Sequence, residues 1–366
     1  MRMASRMSEA VFVGSVAACL TISAFTSRKV SAQEAPSASP PVVDLHVDLA
    51  YAMRAHGKRL SDPRNETSPR RLQRGNVSLL VLPLFVNDAW AKTPGDVRAE
   101  YAATQQTLLE GLRAQEHPPM VLEPGAPAQE GRISTVMSFE GADGFVDDPE
   151  AIVPWIRQGV CFVGLVHSHT NGLAGGNMDP DRSRRTAGLT DRGKQLARVV
   201  YGNGAVVDVA HMTDASMADT AAIAKEFGAP LVATHAGMRA LRAIERNLGD
   251  VQLQAIKDAN GVVGIDLHSG HIGARAGVRA TLDDLVRHIE HAVQIAGPEH
   301  VAIGSDLNGG IEQPSGADGA ATWPRVARKL REKGWSEAQI EAVFHGNAER
   351  VIAWAREHGC GGATTP

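Results

Sequence analysis

Lysine and arginine form no dense cluster anywhere in this 366-residue chain, and its formal charge is only −4. That absence excludes the basic footprint of a nucleic-acid binder and the polybasic patch of a membrane-surface protein. The expected partner is a small molecule, with no nucleic acid involved. Cysteine is also scarce: Cys19, Cys161 and Cys360 are the whole complement, and no CxxC pair occurs. Cys161 lies in an apolar strand-like run and Cys360 in the terminal Gly-Cys-Gly-Gly. Both are therefore expected as unpaired thiols, and nothing points to a cysteine nucleophile. What the chain does have is a 43% hydrophobic share and 37 glycines, enough to bury a large core.

The N-terminus differs in kind from the rest. Basic Arg2 and Arg6 precede an apolar run over residues 10–25, and small residues Val30, Ser31 and Ala32 follow. That is the order of a secretory signal peptide, cut after Ala32. The apolar run is short for a membrane span, and Arg28 and Lys29 follow it closely. A lipoprotein start at an acylated Cys19, in Val-Ala-Ala-Cys, is the alternative. The expected location is thus periplasmic or extracellular, free or lipid-anchored to the cell envelope through the N-terminus. Residues 33–41 read as a Pro/Ser/Ala linker, 42–358 as the folded domain and 359–366 as a flexible tail.

Beyond the linker, short β-branched runs alternate with longer amphipathic segments, the pattern of βα units around a parallel sheet. Eight runs occur, at 42–48, 77–86, 133–140, 161–167, 205–211, 231–235, 262–268 and 301–306. Helices are predicted between them, among others over 97–115, 191–201, 215–227, 250–260 and 282–296. This is an α/β pattern predicting a (β/α)₈ TIM-like barrel, in which chemistry gathers at the C-terminal strand ends. The runs end accordingly: His46 and Asp48 close the first, Glu140 the third, His167 the fourth, His211 the fifth, His235 the sixth and Asp306 the eighth. Buried imidazoles and carboxylates need pairing or a metal to offset their desolvation. His46 and Asp48, two residues apart, point the same way in a strand, with Asp44 deeper in the same register.

Three imidazoles with two carboxylates suit Zn²⁺. Five ligands are too many for one tetrahedral ion and enough for two if a carboxylate bridges. Glu140, alone on its strand, is the expected bridge, since no run ends in a lysine. Of the other histidines, His56, His117, His288, His291, His345 and His358 are expected to be solvated, and His169 and His271 are unassigned. His268 ends the seventh run and is expected to line the pocket.

With those residues in hand, the chain resembles the membrane dipeptidase (renal dipeptidase, peptidase M19) family of the amidohydrolase superfamily. The resemblance is carried by "DLHVD" (44–48), "FEGADGF" (139–145), "GLVHSHTNGLA" (164–174), "GLTDRGKQLARVV" (188–200), "VVDVAHMTDAS" (206–216), "LVATHAG" (231–237), "RN" (246–247), "HVAIGSDLNGG" (300–310) and "GNAERV" (346–351). It implies a zinc-dependent dipeptidase with two Zn²⁺ per chain. His46, Asp48 and Glu140 would hold one ion; Glu140, His211 and His235 would hold the other. It further implies that His167 contacts the substrate carbonyl, that Arg246 binds substrate and that Asp306 is the acid/base carboxylate. Homodimers, and dipeptides with a tolerated D-residue at the C-terminal position, also follow from it.

The chain departs from the family pattern at Val47, at Thr234 and Ala236 flanking His235, and at Asn308, where a changed hydrogen bond to Asp306 is expected. Two rival readings of the same centre are hydrolysis of a lactam or N-acyl amino acid and an inactive metal-binding relative. Retention of Asp306 argues against the second.

Overall fold

The computed structural model describes residues 39–362 except 88, 117 and 127. The expected signal peptide, the linker up to residue 38, His117 and the last four residues lie outside the described residues. Among the described residues there are eight strands: β1 (Val42–Asp44), β2 (Val77–Phe85), β3 (Ser134–Glu140), β4 (Val160–Gly164), β5 (Val206–Asp208), β6 (Val232–Ala236), β7 (Val262–Ile265) and β8 (Val301–Ile303). They close into a barrel in chain order with every neighbouring pair parallel, and Asp44 against Ile303 completes the ring. The expected (β/α)₈ architecture is present.

Side chains buried on both faces of each strand explain why the runs read as continuous apolar stretches. The helices Pro94–Arg113, Asp191–Gly202, Asp214–Glu226 and Leu282–Ala296 each begin behind a threonine. The hydroxyls of Thr93, Thr190, Thr213 and Thr281 accept a backbone N–H three residues on, which fixes where each loop becomes a helix. In Leu282–Ala296 the buried stripe runs through Leu285, Ile289, Ala292 and Ala296. His288 shares that stripe and is buried, not solvated as expected. Its Nδ1 accepts the Met238 N–H at 2.8 Å, and burial lowers the ring's pKa to about 4. Gly264 on β7 and Gly304 just past β8 lie where any Cβ would overlap the Thr234 carbonyl oxygen. Three consecutive strands therefore approach closely one residue below His235. Among the described residues no helix is long and apolar enough to cross a membrane.

The cysteines correct the expectation of free thiols: Cys161 on β4 is disulfide-bonded to Cys360, with Cα atoms 5.4 Å apart across 199 residues of sequence. Pairing over such a distance leaves no spacing signature. Cys360 is buried and the Gly361 N–H bonds the Ile156 carbonyl, so the start of the expected tail packs on the barrel. Closing so long a loop constrains the unfolded chain, and Cys360→Ser should cost about 2–5 kcal/mol of stability. Denaturant midpoints with and without reductant check this, and identical curves would show that the bond contributes nothing.

Candidate active site

At the C-terminal mouth of the barrel, four imidazoles converge on one carboxylate oxygen. Glu140 Oε1 lies 3.1 Å from His211 Nε2, 3.5 Å from His46 Nε2, 3.6 Å from His235 Nε2 and 3.8 Å from His167 Nε2. His46 Nε2 is also 3.6 Å from Asp48 Oδ2, and the His211 and His235 Nε2 atoms are 3.0 Å apart. Three overlapping triads result, His46–Glu140–His235, Glu140–His167–His211 and His46–Asp48–Asp306, each with ligand atoms within 4.8 Å of one another. Every metal ligand and acid/base residue expected from sequence is thus brought to one place.

The strands deliver these groups less directly than their runs imply. Glu140 and His235 belong to strands, whereas His46, Asp48, His167, His211 and Asp306 lie two to four residues past one. His211 and Asp306 adopt left-handed backbone, φ 66° and 62°, which is costly for side-chain-bearing residues and recurs at functional sites. The Asp306 N–H donates to the His46 carbonyl at 3.0 Å, tying the ends of β8 and β1 together. Gly309 has a defined purpose: a Cβ there would stand 2.6 Å from Asp48 Oδ2 and 2.8 Å from Asp306 Oδ1. Gly309→Ala should therefore displace both carboxylates and lower turnover by up to about 10²-fold, the scale of a misplaced reacting group. Unchanged kinetics in a folded variant would show that the carboxylates have room to move.

Electrostatics show what the cluster calls for. Burial and the Glu140 charge push the Asp48 carboxyl well above its ordinary range, and burial, with Glu140 adding to it against the pull of His46, raises Asp306 to about 6. Burial works against the Glu140 charge too, yet His167 and His46 hold its pKa well below normal. Burial would also depress His46, but attraction to Glu140 and Asp48 outweighs it and raises that ring to about 10. His211 and His235 are driven down by burial and by neighbouring positive charge. These carboxylates need positive charge, and His46 Nε2 faces them buried and, among the described residues, without a hydrogen-bond partner. Ligand atoms on one tetrahedral zinc ion stand about 3.3 Å apart, close to the spacings around Glu140. The donor set fits a divalent ion.

Arg246 is buried: its Nη2 donates to the His235 carbonyl at 3.1 Å and lies 3.2 Å from His211 Nε2. Nε and Nη1 are buried without a partner among the described residues. His268 lines the same cavity, as expected, together with Tyr51, Phe85, His167, Arg246 and Ile311. Asn308 donates its side-chain amide to Thr67 Oγ1 at 2.9 Å and its backbone N–H to Glu66.

Asp208 and Asp266 carry no expectation from the sequence. Asp44, Asp208 and Asp266 stand at or just after the ends of β1, β5 and β7, and each accepts the N–H two residues on. The signal was available for two of them, because Val-Val-Asp ends both β1 and β5. Asp266 additionally holds His271 Nδ1 at 2.7 Å, giving that unassigned histidine a buried partner at the pocket wall.

The closed parallel barrel carries at its mouth a histidine–carboxylate cluster with the donor set of a metallohydrolase. The model of the membrane dipeptidase family (peptidase family M19) matches residues 33–359, and the chain belongs to that family. It is 33% identical over 224 residues to an uncharacterized protein in the pqqA 5' region of Klebsiella pneumoniae, covering 60% of this chain and 81% of that one. It is 25% identical over 349 residues to dipeptidase ataJ of Aspergillus terreus, covering 85% and 84%. A metallopeptidase from Rhodobacter sphaeroides, solved with a phosphinate mimic of L-Ala-D-Ala, shares the fold with TM-score 0.76 at 22% identity, over 87% of this chain and all of that one.

Proposed function

We propose that the protein is an exported zinc dipeptidase that hydrolyses small dipeptides, including those with a C-terminal D-residue. The convergence of four imidazole nitrogens on Glu140 Oε1 carries this reading. His46, Asp48 and Glu140 would hold one Zn²⁺, and Glu140, His211 and His235 the other. Bound there, the ions would polarise the scissile carbonyl and lower the pKa of a nearby water. Asp306 takes the proton of the attacking water and delivers it to the leaving amine as the C–N bond breaks, acting first as base and then as acid. His167 faces the carbonyl oxygen and steadies its developing charge. Arg246 offers Nε and Nη1, unpartnered among the described residues, to the substrate carboxylate.

The cavities support a substrate of dipeptide size. The one holding Arg246 and His268 meets a second, lined by Val97, Ala91 and Val146, and the two share Phe85, Asn87, Glu140 and His167. A reacting centre flanked by two recesses suits one residue on either side of the cleaved bond. The ligand of the Rhodobacter relative supports including L,D substrates.

The disulfide supports export, because such bonds persist in oxidising compartments. The mass of the native N-terminus decides between a start at Gln33 and an acylated Cys19, and an intact Met1 would sink both. Homodimerisation rests on the family resemblance, and sedimentation tests it. The reading as a whole is tested by elemental analysis joined to a screen of L,L and L,D dipeptides, lactams and N-acyl amino acids. Close to two Zn²⁺ per chain and turnover of dipeptides are expected. At most one ion in active protein would overturn the bridged pair, and turnover confined to lactams or N-acyl amino acids would overturn the substrate.

A further inference from the structure

Below the metal cluster one hydroxyl meets three partners. Thr234 Oγ1 is 2.5 Å from Asp208 Oδ2, 3.1 Å from His46 Nδ1 and 3.0 Å from His235 Nδ1. All four residues are buried. A hydroxyl has one proton and two lone pairs, so the three contacts can be satisfied in few ways. The carboxylate oxygen only accepts, so the proton goes to Asp208. Turning it toward an imidazole would leave two oxygen lone pairs facing each other in the interior, an uncompensated cost. The two remaining lone pairs then match two imidazole N–H groups. The carboxylate cannot swing away, because Asp208 Oδ1 accepts the N–H groups of Ala210 at 3.0 Å and Thr234 at 2.9 Å. The β-branched Thr234 side chain is itself stiff at χ1.

We infer that Asp208 and Thr234 form a single positioning relay that holds the protons of His46 and His235 on Nδ1, aiming both Nε2 lone pairs at the cluster around Glu140. The inference rests on the two-ion reading, in which His46 and His235 serve different ions. One hydroxyl thus orients a ligand of each, and its loss weakens both sites together. His211 lies outside the relay, with its Nδ1 buried and unpartnered among the described residues.

Asp208→Asn is the sharpest variant. Its amide must turn its oxygen to the two backbone N–H groups, which leaves the NH₂ facing Thr234. The hydroxyl then accepts from Asn and donates to an imidazole Nδ1, forcing that ring's proton onto Nε2. Thr234→Val removes the hydroxyl at nearly constant shape, and Thr234→Ser retains it. The experiment reads the His235 ring by ¹⁵N NMR in metal-free protein at pH 8, and zinc affinity by chelator competition. Expected are an Nδ1–H tautomer for His235 in the native protein and its shift toward Nε2–H in Asp208→Asn. Both sites should bind zinc about 10–100-fold more weakly in Asp208→Asn and Thr234→Val, the usual cost of losing a partner behind a ligand, with near-native binding in Thr234→Ser. Native His235 protonated on Nε2, or native affinity at either site in Asp208→Asn and Thr234→Val, would overturn the relay. Native protein that takes up one zinc or none would overturn the two-ion reading instead, and the tautomer, read without metal, still decides the relay. Should Thr234→Val fail to fold, Asp208→Asn and the native tautomer carry the decision.

Discussion

Asp306→Asn is expected to keep both metal ions and the fold while losing roughly 10²–10⁴ in rate, the scale of a lost general acid/base. The amide has the shape of the carboxylate, and the left-handed turn at φ 62°, pinned by the bond from the Asp306 N–H to the His46 carbonyl, does not depend on the side-chain charge. What disappears is a group able to take a proton from water and return it to the amine. That loss acts in the transition state, so it should appear in kcat with KM little changed. Asp306 also belongs to a potential ligand triad with His46 and Asp48, and zinc content separates the two roles. Near-normal kcat with full zinc would refute the assignment, and zinc lost in step with activity would recast Asp306 as a ligand.

Much of this site is legible in the sequence because it breaks a local rule. An apolar run that ends in histidine or a carboxylate conflicts with burial unless something compensates it, and the repetition of that conflict at six run ends locates the mouth of the barrel. The extent of the strands is less legible. Asp44 and Asp208 take up backbone N–H groups that a longer strand would give to its neighbour, so β1 and β5 stop at three residues and the proposed ligands His46, Asp48 and His211 ride on the following turns. The left-handed backbone of His211 and Asp306 has no residue-type signature, since glycine would be the usual marker of such a conformation. His288 is buried against expectation because, in sequence, a histidine in phase with an apolar stripe resembles one on the stripe's edge. The Cys161–Cys360 bond joins segments that only the closed fold brings together. The buried Arg246 follows no periodic pattern: it sits in the segment between β6 and the Asp250–Asp258 helix and reaches back to the His235 carbonyl.

The second large effect is expected at Glu140, where Glu140→Gln should empty both metal positions while His211→Ala preferentially empties one. The difference follows from geometry. Among the described residues His211 enters one potential ligand triad and Glu140 two, and Glu140 Oε1 stands within 3.8 Å of the Nε2 atoms of His46, His167, His211 and His235. Its charge is also what the neighbouring imidazoles hold in place against burial. An amide of the same shape keeps the strand end filled, but it brings an N–H₂ donor among nitrogens that need a cation. Losing both ions forfeits the several kcal/mol that metals contribute to the transition state, about 10²–10⁴ in rate, and added zinc should not restore it. Elemental analysis of the two variants beside the native protein measures the contrast. A Glu140→Gln protein that still binds two ions and turns over dipeptides would remove Glu140 as the bridge and assign the ions to separate ligand sets drawn from Asp48, Asp306 and the histidines.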